Sequence, residues 1–119
     1  MKIKNIAILI LVVLTISIFI SCSNASIDYP NVEDFELALN EGEDLTGKTV
    51  TFTVDDLVPN SAFGYNMQAG EHLNFCSSSN PNVKEGDTVT VKVIEISSLM
   101  GSYIIKYEIV KWYFKFAVY

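Results

Sequence analysis

The residues best equipped for chemistry lie in GEHLNFCSSS, positions 70–79. His72 is the chain's single histidine, and Cys76 follows four positions later. An imidazole beside a thiol suits two tasks: activating a thiolate nucleophile, or sharing a metal ion. Both demand contact. Thiolate activation needs hydrogen-bond reach, ~3 Å, and Zn–N and Zn–S bonds run to ~2.0–2.3 Å. Residues four apart are neighbours on a helix. On a strand they share a face but stand about 13 Å apart, at ~3.3 Å per residue. Here Leu73 and Phe75 alternate with His72, Asn74 and Cys76, the pattern of a strand with one apolar face. The spacing therefore predicts two separate side chains. His72 has a structural or surface role, and Cys76 is a small half-buried residue near a strand end.

No other constellation supports catalysis. The chain has no Gly-rich phosphate loop, no HExxH and no second histidine. Three carboxylate pairs raise acid–base chemistry or calcium: Glu33–Asp34, Glu43–Asp44 and Asp55–Asp56. The first suits the positive end of a helix dipole. EGED (41–44) has too few spaced oxygens for an EF-hand loop and reads as a solvated turn. Asp55–Asp56 reads as a bend closing a strand. The expectation is no enzyme, no cofactor and no metal site.

The elements that must position these residues are mostly strands. Residues 31–42, NVEDFELALNEG, predict one short helix: Asn31 is an N-cap, Val32, Phe35 and Leu39 make an apolar stripe, and Gly42 ends it. Residues 48–58 alternate, with Val50, Phe52 and Val54 opposite Thr49, Thr51 and Thr53; PNS (59–61) breaks the run. Residues 63–69 and 72–77 predict a hairpin about Gly70–Glu71, with Gly64 marking a bulge or bend. After a polar loop (78–87), residues 88–97 form a strand whose apolar phase slips between Val93 and Ile94, the mark of a bulge or of a strand changing layers. Residues 103–110 alternate again. The tail, KWYFKFAVY (111–119), predicts a continued or additional strand, since left free it would be an aggregation hazard.

Charge narrows the partners. The chain has 119 residues, with fourteen acids against eight basic residues, and a formal net charge of −6. Every basic residue is lysine. Lys2 and Lys4 lie in the first twenty-one residues, which contain no acid, so removing that stretch leaves −8. Polyanion binding relies on Lys and Arg contacts to phosphate. The balance argues against nucleic acid, heparin-like chains and anionic membrane surfaces. It is compatible with cationic partners or divalent cations, and most simply keeps a surface protein soluble.

The start, MKIKNIAILILVVLTISIFISC, has a basic opening and an apolar run from Ile6 to Ile20. As a helix that run spans about 22 Å, short of the ~30 Å hydrocarbon core. This is the pattern of an export signal. Phe19-Ile20-Ser21-Cys22 resembles the lipobox of bacterial lipoproteins, departing from it at Phe19, where leucine is usual. The resemblance implies a signal peptide over 1–21 and lipidation of Cys22, which becomes the new N-terminus and anchors the chain outside the cytoplasm on the cell membrane. A plain signal peptide and an uncleaved anchor are the alternatives. Residues 22–30 then form a tether and 31–119 one domain. With Cys22 lipidated, Cys76 has no partner for an intramolecular disulfide.

Five strands, an early glycine and a late phase slip suit a small closed or half-closed barrel. NVKEGDTVTVKVIEI (82–96) resembles the fourth strand of many OB domains, and residues 48–110 would supply strands one to five. The usual helix between strands three and four has no room in SSNPNVKEGD; the helix here precedes strand one. The fold expected is mainly β, an OB-like barrel with a short N-terminal helix, with an immunoglobulin-like sandwich as runner-up. The whole chain resembles small surface lipoproteins of low-GC Gram-positive bacteria. OB folds bind ligands around strands two and three, which by position points to Phe63, Tyr65, Met67, His72, Asn74 and Tyr103, several of them expected instead as barrel core. Two functions follow: a non-catalytic binding module for a peptide, glycan or partner protein, or an assembly lipoprotein pairing through its C-terminal strand.

Overall fold

The structure, a computed structural model, describes residues 26–113. The expected leader (1–21), Cys22 and residues 114–119 lie outside the described residues. One helix, α1 (Val32–Asn40), precedes six strands: β1 (Thr49–Thr53), β2 (Asp56–Ser61), β3 (Gly64–Ala69), β4 (Leu73–Ser77), β5 (Thr88–Leu99) and β6 (Ser102–Tyr113). The protein is mainly β, a single sheet curled into a half-barrel. Its strand order is β1-β5-β6-β4-β3-β2. All pairs are antiparallel except β4 with β6.

The curl follows from the first strand, which divides at Val54–Asp55. Its first half, β1, pairs with β5, and its second half, β2, pairs with β3. Across the bend, the Val54 N–H donates to Asp87 O at 2.8 Å and the Asp55 N–H to Gln68 O at 2.9 Å. The two ends of the sheet are thus neighbours in sequence, and the sheet must roll up to bring them together. This is why six strands appear where five were expected. PNS (59–61) does not end the run: Pro59 lies in β2, and the register shifts between Val58 and Ser61. Pro is tolerated there because an edge strand leaves its N–H side unpaired.

Two bulges tighten the roll. Val93 pairs with Tyr107 and Glu95 with Lys106, so Ile94 is the extra residue at the expected phase slip. It is exposed, whereas Ile96 packs against the core. A second shift falls between Thr90 and Val91. Bulges increase local twist and bend, which lets a short sheet surround its own apolar face.

That face is filled by Val50, Phe52, Val54, Phe75, Val89, Val91, Val93 and Ile105, all buried. Phe75 stacks on Phe52 with ring centroids 4.1 Å apart and approaches Phe35 of α1 at 6.2 Å. The alternation predicted for residues 49–54 holds, and on the opposite face Thr51 and Thr90 meet hydroxyl to hydroxyl at 2.7 Å. Helix α1 closes the barrel with Phe35, Ala38 and Leu39 inward. Asn31 caps it, its Oδ1 accepting from the Asp34 N–H at 2.9 Å. Asp28 and Tyr29, expected in a tether, are bound to β1 instead. Asp28 exchanges hydrogen bonds with Thr49, Tyr29 bridges to Val50, and the Tyr29 ring meets Phe35 edge-on. No helix among the described residues is long and apolar enough to cross a membrane.

Candidate functional site

At the end of the barrel closed by α1, one carboxylate ties three elements together. Glu36 lies on the buried face of the helix, its side chain 9% exposed. Its Oε1 accepts the Glu71 N–H at 2.9 Å, and its Oε2 accepts from His72 Nδ1 at 3.0 Å. Glu71 and His72 belong to the β3–β4 turn, which Gly70 allows by taking φ +61°. A Cβ on Gly70 would collide with Glu36 Oε1, so the turn approaches the carboxylate as closely as a backbone can. His72 is further fixed by its carbonyl, which accepts the Tyr103 N–H at 2.9 Å from the start of β6. The Tyr103 hydroxyl donates to Asn40 Oδ1 at 2.9 Å, returning to the end of α1.

Of the six residues expected at a binding face, the structure brings three together. Asn74 Nδ2 donates to Tyr103 O at 3.1 Å, placing Asn74, Tyr103 and His72 side by side. Phe63 and Tyr65 stand at the other end of β3, about 13 Å along the strand from the turn. Phe63 is exposed, and Tyr65 is half-buried. Met67 is fully buried in the core, so no surface ligand reaches it. The structure adds Glu36 and Asn40, which the sequence reading passed over. The available signal was that Val32, Glu36 and Leu39 fall at i, i+4 and i+7, which puts a carboxylate in the apolar stripe.

His72 and Cys76 do not meet as a pair. His72 precedes β4, and its ring is engaged by Glu36. Cys76 is buried within the strand, its Sγ 3.7 Å from Asn74 O. Burial pushes the Cys76 thiol above its ordinary pKa, which keeps it protonated and a poor nucleophile.

The carboxylate pairs singled out by sequence disperse into local roles. Glu33 and Asp34 sit in the first turn of α1. Thr46 hydrogen-bonds Asp44 through hydroxyl and amide and holds its carboxyl below the usual range. Asp56 hydrogen-bonds Glu85, whose carboxyl is raised by that bond and by the like charge. The donor atoms of Glu36, Glu71 and His72 instead converge, all within 4.8 Å of one another, the one such trio among the described residues. Glu36 lies 35 and 36 positions from the adjacent Glu71 and His72, beyond any spacing motif.

Two clefts open beside this cluster. The larger, about 700 Å³, runs between α1, β1 and the β3–β4 turn. Its lining includes Glu33, Glu36, Asp55 and Glu71, apolar surface from Val32, Leu37 and Phe52, and, among the described residues, no basic side chain. The smaller, about 240 Å³, lies between Asp55, the turn and Ser102, with His72 and Asn74 in its wall. Asp55, Gly70 and Glu71 border both.

No protein family, curated protein or solved structure matches this chain. What the site can do follows from its own geometry. It presents an acidic, partly apolar trough with a rigid floor, able to hold a cationic group against carboxylates while apolar surface covers its neighbours.

Proposed function

We propose that this chain is a non-catalytic binding module of the cell envelope, anchored through lipid on Cys22, with an OB-type barrel as its body. Two features support the barrel type: a first strand that bends to pair at both ends of the sheet, and the parallel β4–β6 pair in an otherwise antiparallel sheet. The ligand site is the larger cleft, and its ligand is a peptide segment or partner chain that presents lysine or arginine. The observation that carries this reading is the lining of that cleft, four carboxylates and an apolar wall with no basic side chain among the described residues.

Assembly through the C-terminal strand is the second function. As far as Tyr113 that strand is already hydrogen-bonded to β5. The edge strand β2 carries Asp56 and Pro59, features that blunt an edge against strand addition. Both observations weigh toward the cleft.

The test is fluorescence anisotropy with labelled lysine-rich and glutamate-rich peptides of equal length. The lysine-rich peptide binds, more weakly as salt rises, and the glutamate-rich one does not. Reversing two exposed charges, Glu33→Lys with Asp55→Lys, weakens binding at least about tenfold, or ~1.4 kcal/mol. Equal binding of both peptides, or indifference to the reversal, refutes the reading. The anchor is tested separately, by loss of radiolabelled palmitate incorporation in Cys22→Ser.

A further inference from the structure

We propose that Glu36, Glu71 and His72 bind a zinc-class divalent cation at the junction of the two clefts. An ion there takes Glu36 and Glu71 from the wall of the larger cleft and leaves Glu33 and Asp55 to that cleft's cationic ligand. The donor set is mixed, one imidazole nitrogen and two carboxylates, which suits zinc and its neighbours better than calcium or magnesium. Tetrahedral ligands at ~2.0–2.2 Å from a metal lie about 3.3 Å from one another. His72 Nδ1 stands 3.0 Å from Glu36 Oε2 and 4.0 Å from Glu71 Oε2, values on either side of that spacing. The ion replaces the proton that Nδ1 donates to Glu36.

The site is built on one side and open on the other. Glu36 is held by the buried face of α1 and by the Glu71 amide, so the deepest ligand is fixed before any ion arrives. His72 is held through its carbonyl by β6. Glu71, 87% exposed, is free to swing the short distance needed to close the triangle. Both clefts reach Glu71, which leaves a fourth coordination position open to water or ligand.

Charge points the same way. Two carboxylates converge on one imidazole, and among the described residues His72 is the only basic side chain within 4.0 Å of either one. Asp55 adds a further carboxylate to the wall of the smaller cleft. A divalent ion attracts all of these carboxylates at once, and the geometry of Glu36, Glu71 and His72 offers it three ligand atoms.

The experiment uses the full chain, purified in detergent and stripped with chelator, with Co²⁺ and Zn²⁺ as probes. Co²⁺ produces visible d–d absorption, and Zn²⁺ abolishes it by displacement. His72→Ala and Glu71→Gln, both at exposed side chains, each weaken Zn²⁺ at least about tenfold while the far-ultraviolet circular dichroism stays unchanged. Glu36→Gln weakens it as well. The proposal is overturned if Co²⁺ gives no d–d band and Zn²⁺ binds more weakly than about 1 mM, ~4.1 kcal/mol. It is equally overturned if His72→Ala and Glu71→Gln both bind Zn²⁺ as the parent chain does.

Discussion

Replacing Gly70 by alanine tests whether the Glu36 carboxylate locks helix and turn together. Two costs are expected. A side chain in the left-handed region costs roughly 1–2 kcal/mol. Gly42 supplies a control for that term, with φ +86° and open space around its missing Cβ. At Gly70 the Cβ also displaces Glu36 Oε1, the acceptor of the Glu71 amide. A hydrogen bond to a charged group contributes about 1.5–3 kcal/mol. Gly70→Ala should therefore cost about 2.5–5 kcal/mol and Gly42→Ala only about 1–2 kcal/mol. In a Glu36→Ala background the collision partner is gone, and the cost of Gly70→Ala should fall by about 2 kcal/mol, the coupling energy of the cycle. Urea unfolding followed by circular dichroism measures all of these. Equal costs at Gly70 and Gly42, or a Gly70 cost unaltered by Glu36→Ala, would refute the lock.

Two further outcomes are expected. Burial pushes the Tyr107 hydroxyl up to about 12. The unfolded chain then loses this proton first, near the ordinary ~10. Its contribution to stability is complete below pH ~10 and is lost as pH rises toward 12. Melting temperatures between pH 9 and 11 should fall less steeply in Tyr107→Phe, and parallel slopes would show that the hydroxyl is not involved. Cys76, buried and with its thiol raised, should resist iodoacetamide at pH 8 until urea unfolds the chain. Peptide mapping that finds it labelled within minutes in the folded protein would contradict its burial.

The first strand was legible in the sequence because burial there alternates. Val50, Phe52 and Val54 lie inward as their spacing requires, and the slip after Val93 is a real bulge. The division of the first strand was not legible, because nothing local distinguishes a bend at Val54–Asp55 from a strand end. Pro59 was misread for a related reason. Proline is a breaker only where its missing N–H is needed, and edge position is a property of the whole sheet. The site was half legible. His72, Asn74 and Tyr103, three of the six residues expected at a binding face, lie side by side, and their neighbour Glu36 was not among those expected. Helix dipole arguments account for Glu33 and Asp34, but a carboxylate facing inward declares itself only when its distant partner is known. Tyr65 and Met67 were placed by analogy of position, and register then put one at the far end of β3 and the other inside.

The orientation of α1 is the feature that packing alone explains least. Leu37 is 57% exposed while its neighbour Glu36 is buried. Apolar burial favours a leucine inward at about 25 cal/mol per Å². Burying a carboxylate is costly unless it is hydrogen-bonded, and here that takes a turn amide and an exposed imidazole. A helix rotated to bury Leu37 would gain on both counts, were it not for Phe35, Ala38 and Leu39, which fix the face. Within that constraint a leucine at position 36 would pack against the turn without needing Gly70, His72 or the Glu71 amide. The chain instead places a carboxylate there and wraps the Gly70 turn around it, next to Glu71, which borders both clefts. Stability is a poor reason for such an arrangement. A charge held rigidly beside two open clefts has the properties required to receive a cation or a cationic ligand.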